Sequence, residues 1–390
     1  MPNSSRRHLV RAAVAAVAGL LLLGASATAA TATTPTPTAT PSPPPSLLRP
    51  TGPHAVGATT LYLKDTSRPD PWVPTVDARE LMVTVWYPTG ARHGQRMPYM
   101  TPEESRLFLA GKHATGVPPE ILSTVRTNAH LDAPPAGRAH SLPLVVLSPG
   151  YTEPRATLSG LAEDLASHGY VVVGIDHTYE TYAVTFPGGR IAPCAACDLN
   201  ENDAFFTKLY QVRAADVAFV LDRLTGPHPA WRGSGLIDAS RIGMSGHSAG
   251  GAASIVTMLR DPRVDAGIDM DGTTRDSVPA TGLNRPFMFL GTQVTHSPGG
   301  DPSWDDDWKR LTGWKRWLVV AGTVHTSFTD LTLLGDQVGV DSGATTTGLE
   351  SMRITRRYNL AMFDQNLRHH RQPLLDRPSA RYPEVTIVAR

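Results

Sequence analysis

Cysteine is almost absent from this chain: two among 390 residues, Cys194 and Cys197. That excludes a disulfide-stapled scaffold, and two thiolates cannot close a four-ligand zinc site. Net charge is almost absent too. Thirty-six Lys and Arg against 35 Asp and Glu leave a formal +1 at pH 7, which points to neither nucleic acid nor a strongly anionic surface. Beyond residue 23 no stretch is long and apolar enough to cross a bilayer, and no repeat of solenoid period is visible.

What is present at the start is a leader pattern. Arg6, Arg7 and Arg11 precede an apolar stretch over residues 12–23, followed by Ala25-Ser26-Ala27 and Ala27-Thr28-Ala29. A basic region, a short apolar core and small-residue cleavage options predict an export signal over residues 1–30, with no transmembrane segment left after its removal. Ser5-Arg6-Arg7 leaves a Sec and a twin-arginine signal both open. Residues 31–50 are almost entirely Thr, Ala, Ser and Pro, the composition of a disordered tether that buries no core. Residues 51–390 are then long enough for one large α/β domain, expected in a secreted protein. In an oxidising compartment, Cys194-Ala195-Ala196-Cys197 predicts a local disulfide pinning the loop after Pro187-Gly188-Gly189.

Along that domain, apolar runs alternate with amphipathic stretches in a βαβ rhythm. Strands are expected over 81–87 (ended by Pro88), 142–147, 170–175, 241–244, 264–270, 286–290 and 316–321. Helices are expected over 157–168, with Gly169 as C-cap, over 203–224 and over 358–369. The near-continuous apolar strands predict a mostly parallel central sheet with helices on both faces. Residues 97–140 show no clear period and would form a rim without a long apolar lid.

The densest chemical signal is Gly246-His247-Ser248-Ala249-Gly250, directly after an apolar strand and before a small-residue stretch suited to a buried helix. Gly-x-Ser-x-Gly at a strand-to-helix turn is the nucleophile elbow of the α/β-hydrolase fold, the fold class expected here. A serine hydroxyl needs a base, and the base an orienting acid, in the chain order Ser, Asp, His. Asp271 lies just past the strand after the elbow, with Asp269 as rival two residues earlier. His325 follows a strand late in the domain, whereas His296 sits in a Gly- and Pro-rich run and reads as a surface-loop residue. His177, Tyr179 and Tyr182 follow another strand and, with Tyr151, are expected at the rim of the site. His369 and His370 read as solvated, and Asp305-Asp306-Asp307 as the acidic start of a helix rather than a metal site. Oxyanion donors are expected from the N–H groups of Ala249 and Tyr151.

Pro149-Gly150-Tyr151, the elbow, Ala266-Gly267-Ile268-Asp269-Met270-Asp271 and Val324-His325-Thr326-Ser327-Phe328-Thr329-Asp330 together resemble the platelet-activating-factor acetylhydrolase type II family. Pro149 departs from the histidine many members carry there, and Ala249 is smaller than the residue in some. The resemblance implies a calcium-independent serine lipase with Ser248 as nucleophile, Asp271 as acid, His325 as base, and Tyr151 with Ala249 at the oxyanion hole. It implies no cofactor, no metal, and a small-molecule ester or lipid substrate with a short acyl group. A broad esterase that also attacks polyesters, a peptidase, and a silent hydrolase fold used for binding remain the alternatives.

Overall fold

The computed structural model describes residues 43–275 and 277–389, so the expected export signal and most of the tether lie outside the described residues. The packed body begins at Pro44, ahead of the boundary expected at residue 51. Leu47 is buried, and its N–H donates to Arg126 O at 3.0 Å. Among the described residues no helix is long and apolar enough to cross a membrane.

The strands are, in chain order, β1 (Ala55–Asp65), β2 (Arg79–Thr89), β3 (His130–Leu131), β4 (Leu142–Ser148), β5 (Val171–Asp176), β6 (Val184–Thr185) and β7 (Ile191–Ala192). They continue with β8 (Ile237–His247), β9 (Val264–Met270), β10 (Phe287–Thr292), β11 (Lys315–Val320) and β12 (Val385–Ala389). Ten of them form one sheet in the order β12-β11-β10-β9-β8-β4-β5-β2-β1-β3, and β6 pairs with β7 separately. From β5 to β11 every neighbouring pair is parallel; β2 against β5 and β12 against β11 are antiparallel. The parallel centre is legible because strands covered on both faces lose their alternation: β4 and β5 are apolar almost throughout. Strand β2, in contrast, runs through Pro88. Its pairing with β5 covers only Met82 to Trp86, so no ladder bond is asked of the missing N–H on that side.

The helices are α1 (Pro102–Gly111), α2 (Ser159–Ser167), α3 (Asp203–Thr225), α4 (Ala249–Arg260), α5 (Gln293–His296), α6 (Pro302–Arg310), α7 (Asp330–Val338) and α8 (Gly348–Leu367). One sheet face is covered by α3, α4 and Trp304 of α6; the other by α2 and α8. The α/β-hydrolase arrangement follows, with helices on both faces. In the 97–140 region α1 carries a capping box, in which Thr101 and Glu104 satisfy each other's backbone N–H. It packs through Phe108 against Leu122 and Leu334.

Cys194 and Cys197 are disulfide-bonded across the turn between β7 and α3. So short a loop removes little unfolded-chain entropy, so the bond shapes the approach to α3 more than it stabilises the domain.

Candidate active site

The site sits where β8 ends and α4 begins. Ser248 lies between them at φ 55°, ψ −124°, a strained conformation for a residue with a side chain. The turn is possible because of its flanking glycines. A Cβ on Gly246 would stand 2.2 Å from Gly250 C, and one on Gly250 2.0 Å from Ser148 O. The Ser248 N–H donates to Met270 O at 2.8 Å, which ties the elbow to the end of β9. Ala249 opens α4, so its N–H has no acceptor within the helix.

One residue past β9, Asp271 also takes a positive φ, 62°. Asp269 makes that turn: fully buried, it accepts the Gly272 N–H at 2.9 Å, and burial raises its pKa well above the usual carboxylate range. A buried carboxyl turned onto the Gly272 N–H holds the turn rather than a histidine. Of the two rival carboxylates, it is Asp271 that meets His325, its Oδ2 lying 2.6 Å from His325 Nδ1. His325 opens a short turn, His325–Phe328, and is half exposed.

His296 is where the expectation fails. It is not a surface-loop residue but a buried one at the end of α5, 2 % exposed. Its Nδ1 lies 2.7 Å from Asp271 Oδ1, its Nε2 3.3 Å from Asp301 Oδ2, and its ring 4.1 Å from that of Trp304. Asp271 is therefore shared by two imidazoles. Burial disfavours the His296 cation, but its bonds to Asp271 and Asp301 outweigh that and push its pKa up to about 9. Asp271, for which burial acts the other way, is held well below the usual range by His296 and His325.

A folded-state pKa raised from 6.5 to about 9 gives stability that is complete below about pH 6.5 and lost as pH rises through about 9. In thermal melts the wild type should lose roughly 2–3 kcal/mol between these limits, and His296→Gln should lose that slope. A variant melting profile parallel to the wild type would contradict the assignment.

Another histidine in the elbow, His247, is fully buried. Its Nε2 donates to His325 O at 2.8 Å, and its Nδ1 lies 3.2 Å from Glu153 Oε2. Burial opposes both charges, yet the pair prevails: His247 is raised, and Glu153 falls to about 2. His247 thus braces the backbone of the His325 turn.

Beneath the loop after β4 lies a wholly buried charge network. Arg213 of α3 donates to Pro149 O, to Gly150 O (3.4 Å), to Ser148 Oγ (3.2 Å) and to Glu180 (2.7 Å). Arg79 pairs with Asp70 and Asp216, both at 2.8 Å. His177 belongs here rather than at the rim: its ring bridges Ser148 Oγ (2.9 Å) and Asp216 (2.8 Å). Tyr182 packs on Phe108, and Tyr179 against the β6–β7 ribbon, so neither joins the cavity around Ser248. Tyr151 stands behind Phe206, ring centroids 6.1 Å apart.

The cavity itself, about 320 Å³, brings together Ser248, Ala249, Asp271 and His325. Phe206, Tyr210, Thr273, Arg275, Thr295 and His296 complete it. Arg275 is stacked 4.1 Å over Phe206 and donates to Tyr210 OH at 3.0 Å. Sequence reasoning missed the roles of His296, His247, Arg213 and Arg275. Only Arg213 left a signal: with Asp216 it shares the helical face of Leu209 and Val220, where a charge is out of place. The three acids near α6 point elsewhere. Asp305 accepts from Gly299, Asp306 pairs with Lys309, and Asp307 accepts from Val278.

A serine elbow after β8, an Asp–His pair from the turns after β9 and β11, and this sheet define a serine carboxylic-ester hydrolase of the α/β-hydrolase fold. Residues 45–190 and 232–373 match the family described as platelet-activating factor acetylhydrolase, isoform II. The chain belongs to that family. It is 28 % identical to a probable 1-alkyl-2-acetylglycerophosphocholine esterase of Arthroderma benhamiae, over 88 % of this chain and 93 % of the relative. It is also 32 % identical to the cutinase est2 of Thermobifida alba, over 39 % of this chain and 44 % of the relative. Among solved structures, a ferulic acid esterase from Streptomyces cinnamoneus superposes with a TM-score of 0.80 at 43 % identity, covering 88 % of this chain and 99 % of that one.

Proposed function

We propose that the protein is an exported ester hydrolase that works through a covalent acyl-enzyme on Ser248. The observation that carries this is the 2.6 Å contact of His325 with Asp271 in the cavity of the strained serine. Ser248 Oγ attacks the carbonyl carbon while His325 Nε2 takes its proton. Asp271 orients the imidazole and offsets its charge. The oxyanion is held by the N–H groups of Ala249 and Tyr151 until the alcohol leaves with the proton from His325. Water then repeats the sequence and releases the acid, so the cycle needs no cofactor. The basic, apolar, small-residue leader supports export.

For the substrate we infer a short-acyl ester with a polar leaving part, including short-acyl phospholipids. A cavity of about 320 Å³ is near the lower end for a ligand site, and the guanidinium of Arg275, paired through Nε with exposed Asp203 at 2.9 Å, places polar N–H groups on its wall for the leaving part. A separate apolar recess of about 250 Å³, lined by Phe108, Leu109 and Leu331, borders the turn at Thr326 and suits an alkyl chain. A second reading has support of its own. Phe206 and Tyr210 give the cavity an aromatic wall, their rings 6.3 Å apart and inclined at 42°, and the ferulic acid esterase is similar along nearly its full length, so an aromatic acyl group also fits.

The test is a p-nitrophenyl ester series from about two to sixteen carbons, run with and without chelator, beside a short-acyl phospholipid, methyl ferulate and a polyester film. The first reading expects kcat/KM to peak at two to four carbons, with chelator ineffective. A peak on methyl ferulate would select the second reading. An optimum at long chains, or loss of activity to chelator, would overturn both.

A further inference from the structure

A second concavity lies far from Ser248. It is a groove of about 1180 Å³ between residues 46–56, 92–98 and 123–130. Its β1 end carries Ala55 and Val56. Ala55 is paired with Thr89, and β2 in turn places Trp86 beside Val172 at the start of β5. The groove therefore reaches the amino ends of the parallel strands, whereas Ser248 follows the carboxyl end of β8.

Arg49, His54, Arg92, Arg96 and Arg126 are exposed along this groove, and no acidic residue lines it. Among the described residues none of the four guanidinium groups is ion-paired, in contrast to Arg79, Arg155 and Arg213 elsewhere. The walls are fixed. Arg126 N–H donates to Pro45 O at 2.8 Å, Leu47 N–H to Arg126 O, and Leu48 O accepts from both Asn128 and Arg356. Arg96 bonds Asn128 O and stands 3.1 Å from His130 Nε2. The cations thus project from a backbone that cannot retreat from their mutual repulsion.

The cluster does not follow from composition, since the whole chain carries a formal charge of only +1. Nor can the leading segment neutralise it: no Asp or Glu occurs before Asp65. We propose that the groove binds a linear polyanion bearing phosphate groups, other than a nucleic acid, through guanidinium–phosphate pairs along its length. The fork of a guanidinium matches two phosphate oxygens, and several in one concavity focus the field on a charged strand. The volume exceeds that of a typical small-ligand pocket, which favours a strand over a single ion. No Phe, Tyr or Trp lines the groove, so there is no platform on which bases could stack. A bilayer surface would ask for a convex face with exposed apolar side chains, whereas Leu47, Val56 and Val125 in this groove are buried.

The test is titration of full-length protein with fluorescently labelled inorganic polyphosphate. Orthophosphate, phosphatidylglycerol vesicles and a single-stranded oligonucleotide serve as competing arms. The triple variant Arg92→Gln, Arg96→Gln, Arg126→Gln should weaken polyphosphate binding about tenfold or more, as should raising the salt from about 50 to 200 mM. Turnover of a soluble p-nitrophenyl ester should stay within about twofold of wild type. If the triple variant does not fold, Arg92→Glu alone, at a side chain without a partner in the described residues, should still reduce binding severalfold. Absence of polyphosphate binding, or binding that the variants retain, would overturn the proposal. So would orthophosphate binding as tight as polyphosphate. Tighter binding of vesicles or of the oligonucleotide would replace the strand with a lipid surface or a nucleic acid.

Discussion

Ser248→Ala should lower kcat by roughly 10⁴- to 10⁶-fold while the melting profile stays that of the wild type. Removing one oxygen from an elbow whose backbone is fixed by Met270 O and by the tight approach of Gly246 to Gly250 disturbs no packing. Asp271→Asn should cost about 10⁴-fold, because an amide at Oδ2 favours the wrong tautomer of His325. His325→Ala should fall in the same range. A fluorophosphonate probe should label the wild type once and Ser248→Ala not at all. Labelling that survives Ser248→Ala would place the nucleophile elsewhere, and an unlabelled wild type would favour a silent binding fold.

The second large effect is expected at a residue that touches no substrate. Arg213→Met should reduce kcat by about 10²-fold or more, and stability by about 3–5 kcal/mol. The guanidinium gathers the carbonyls of Pro149 and Gly150 beneath the loop whose Tyr151 N–H is the proposed oxyanion donor, and it neutralises buried Glu180. Without it that carboxylate keeps only the Trp72 indole at 2.9 Å and the more distant Arg79 at 3.7 Å. Arg213→Lys keeps the charge but not the fork. It should retain more stability than activity, with kcat falling further than KM changes. Equal losses of stability and activity in both variants would mean that Arg213 serves folding alone. His296→Gln is expected to be milder, since Asp271 keeps its bond to His325.

Much of the architecture was legible because it is written in local chemistry. The apolar runs of β4, β5, β8 and β9 have no alternative to a covered parallel sheet. The edges were less legible. β1, with its alternating and partly exposed pattern, and β12, at the far end of the sheet, were not expected as strands, and α8 begins ten residues before its expected start. Edge elements owe their form to a neighbour rather than to their own period. The site divides along the same line. Ser248, Asp271 and His325 each follow an apolar strand, and that position is a sequence-level fact. His296 also follows a strand, but the Gly- and Pro-rich run after it, Ser297-Pro298-Gly299-Gly300, made it resemble a solvent-facing residue.

By itself, then, the sequence determined the fold class and placed Ser248, Asp271 and His325 each just past an apolar strand. Those depend on residue type and on spacing within one strand–turn unit, where steric rules act over a few residues. Only the tertiary structure decided that two imidazoles share Asp271 while Asp269 is turned onto Gly272, and that Arg213 gathers the carbonyls of Pro149 and Gly150. It alone gathered the groove arginines from three separate segments of a nearly uncharged chain. Burial and charge pairing depend on distances between residues far apart in the chain, and a pKa or a field is a property of those distances rather than of any one residue.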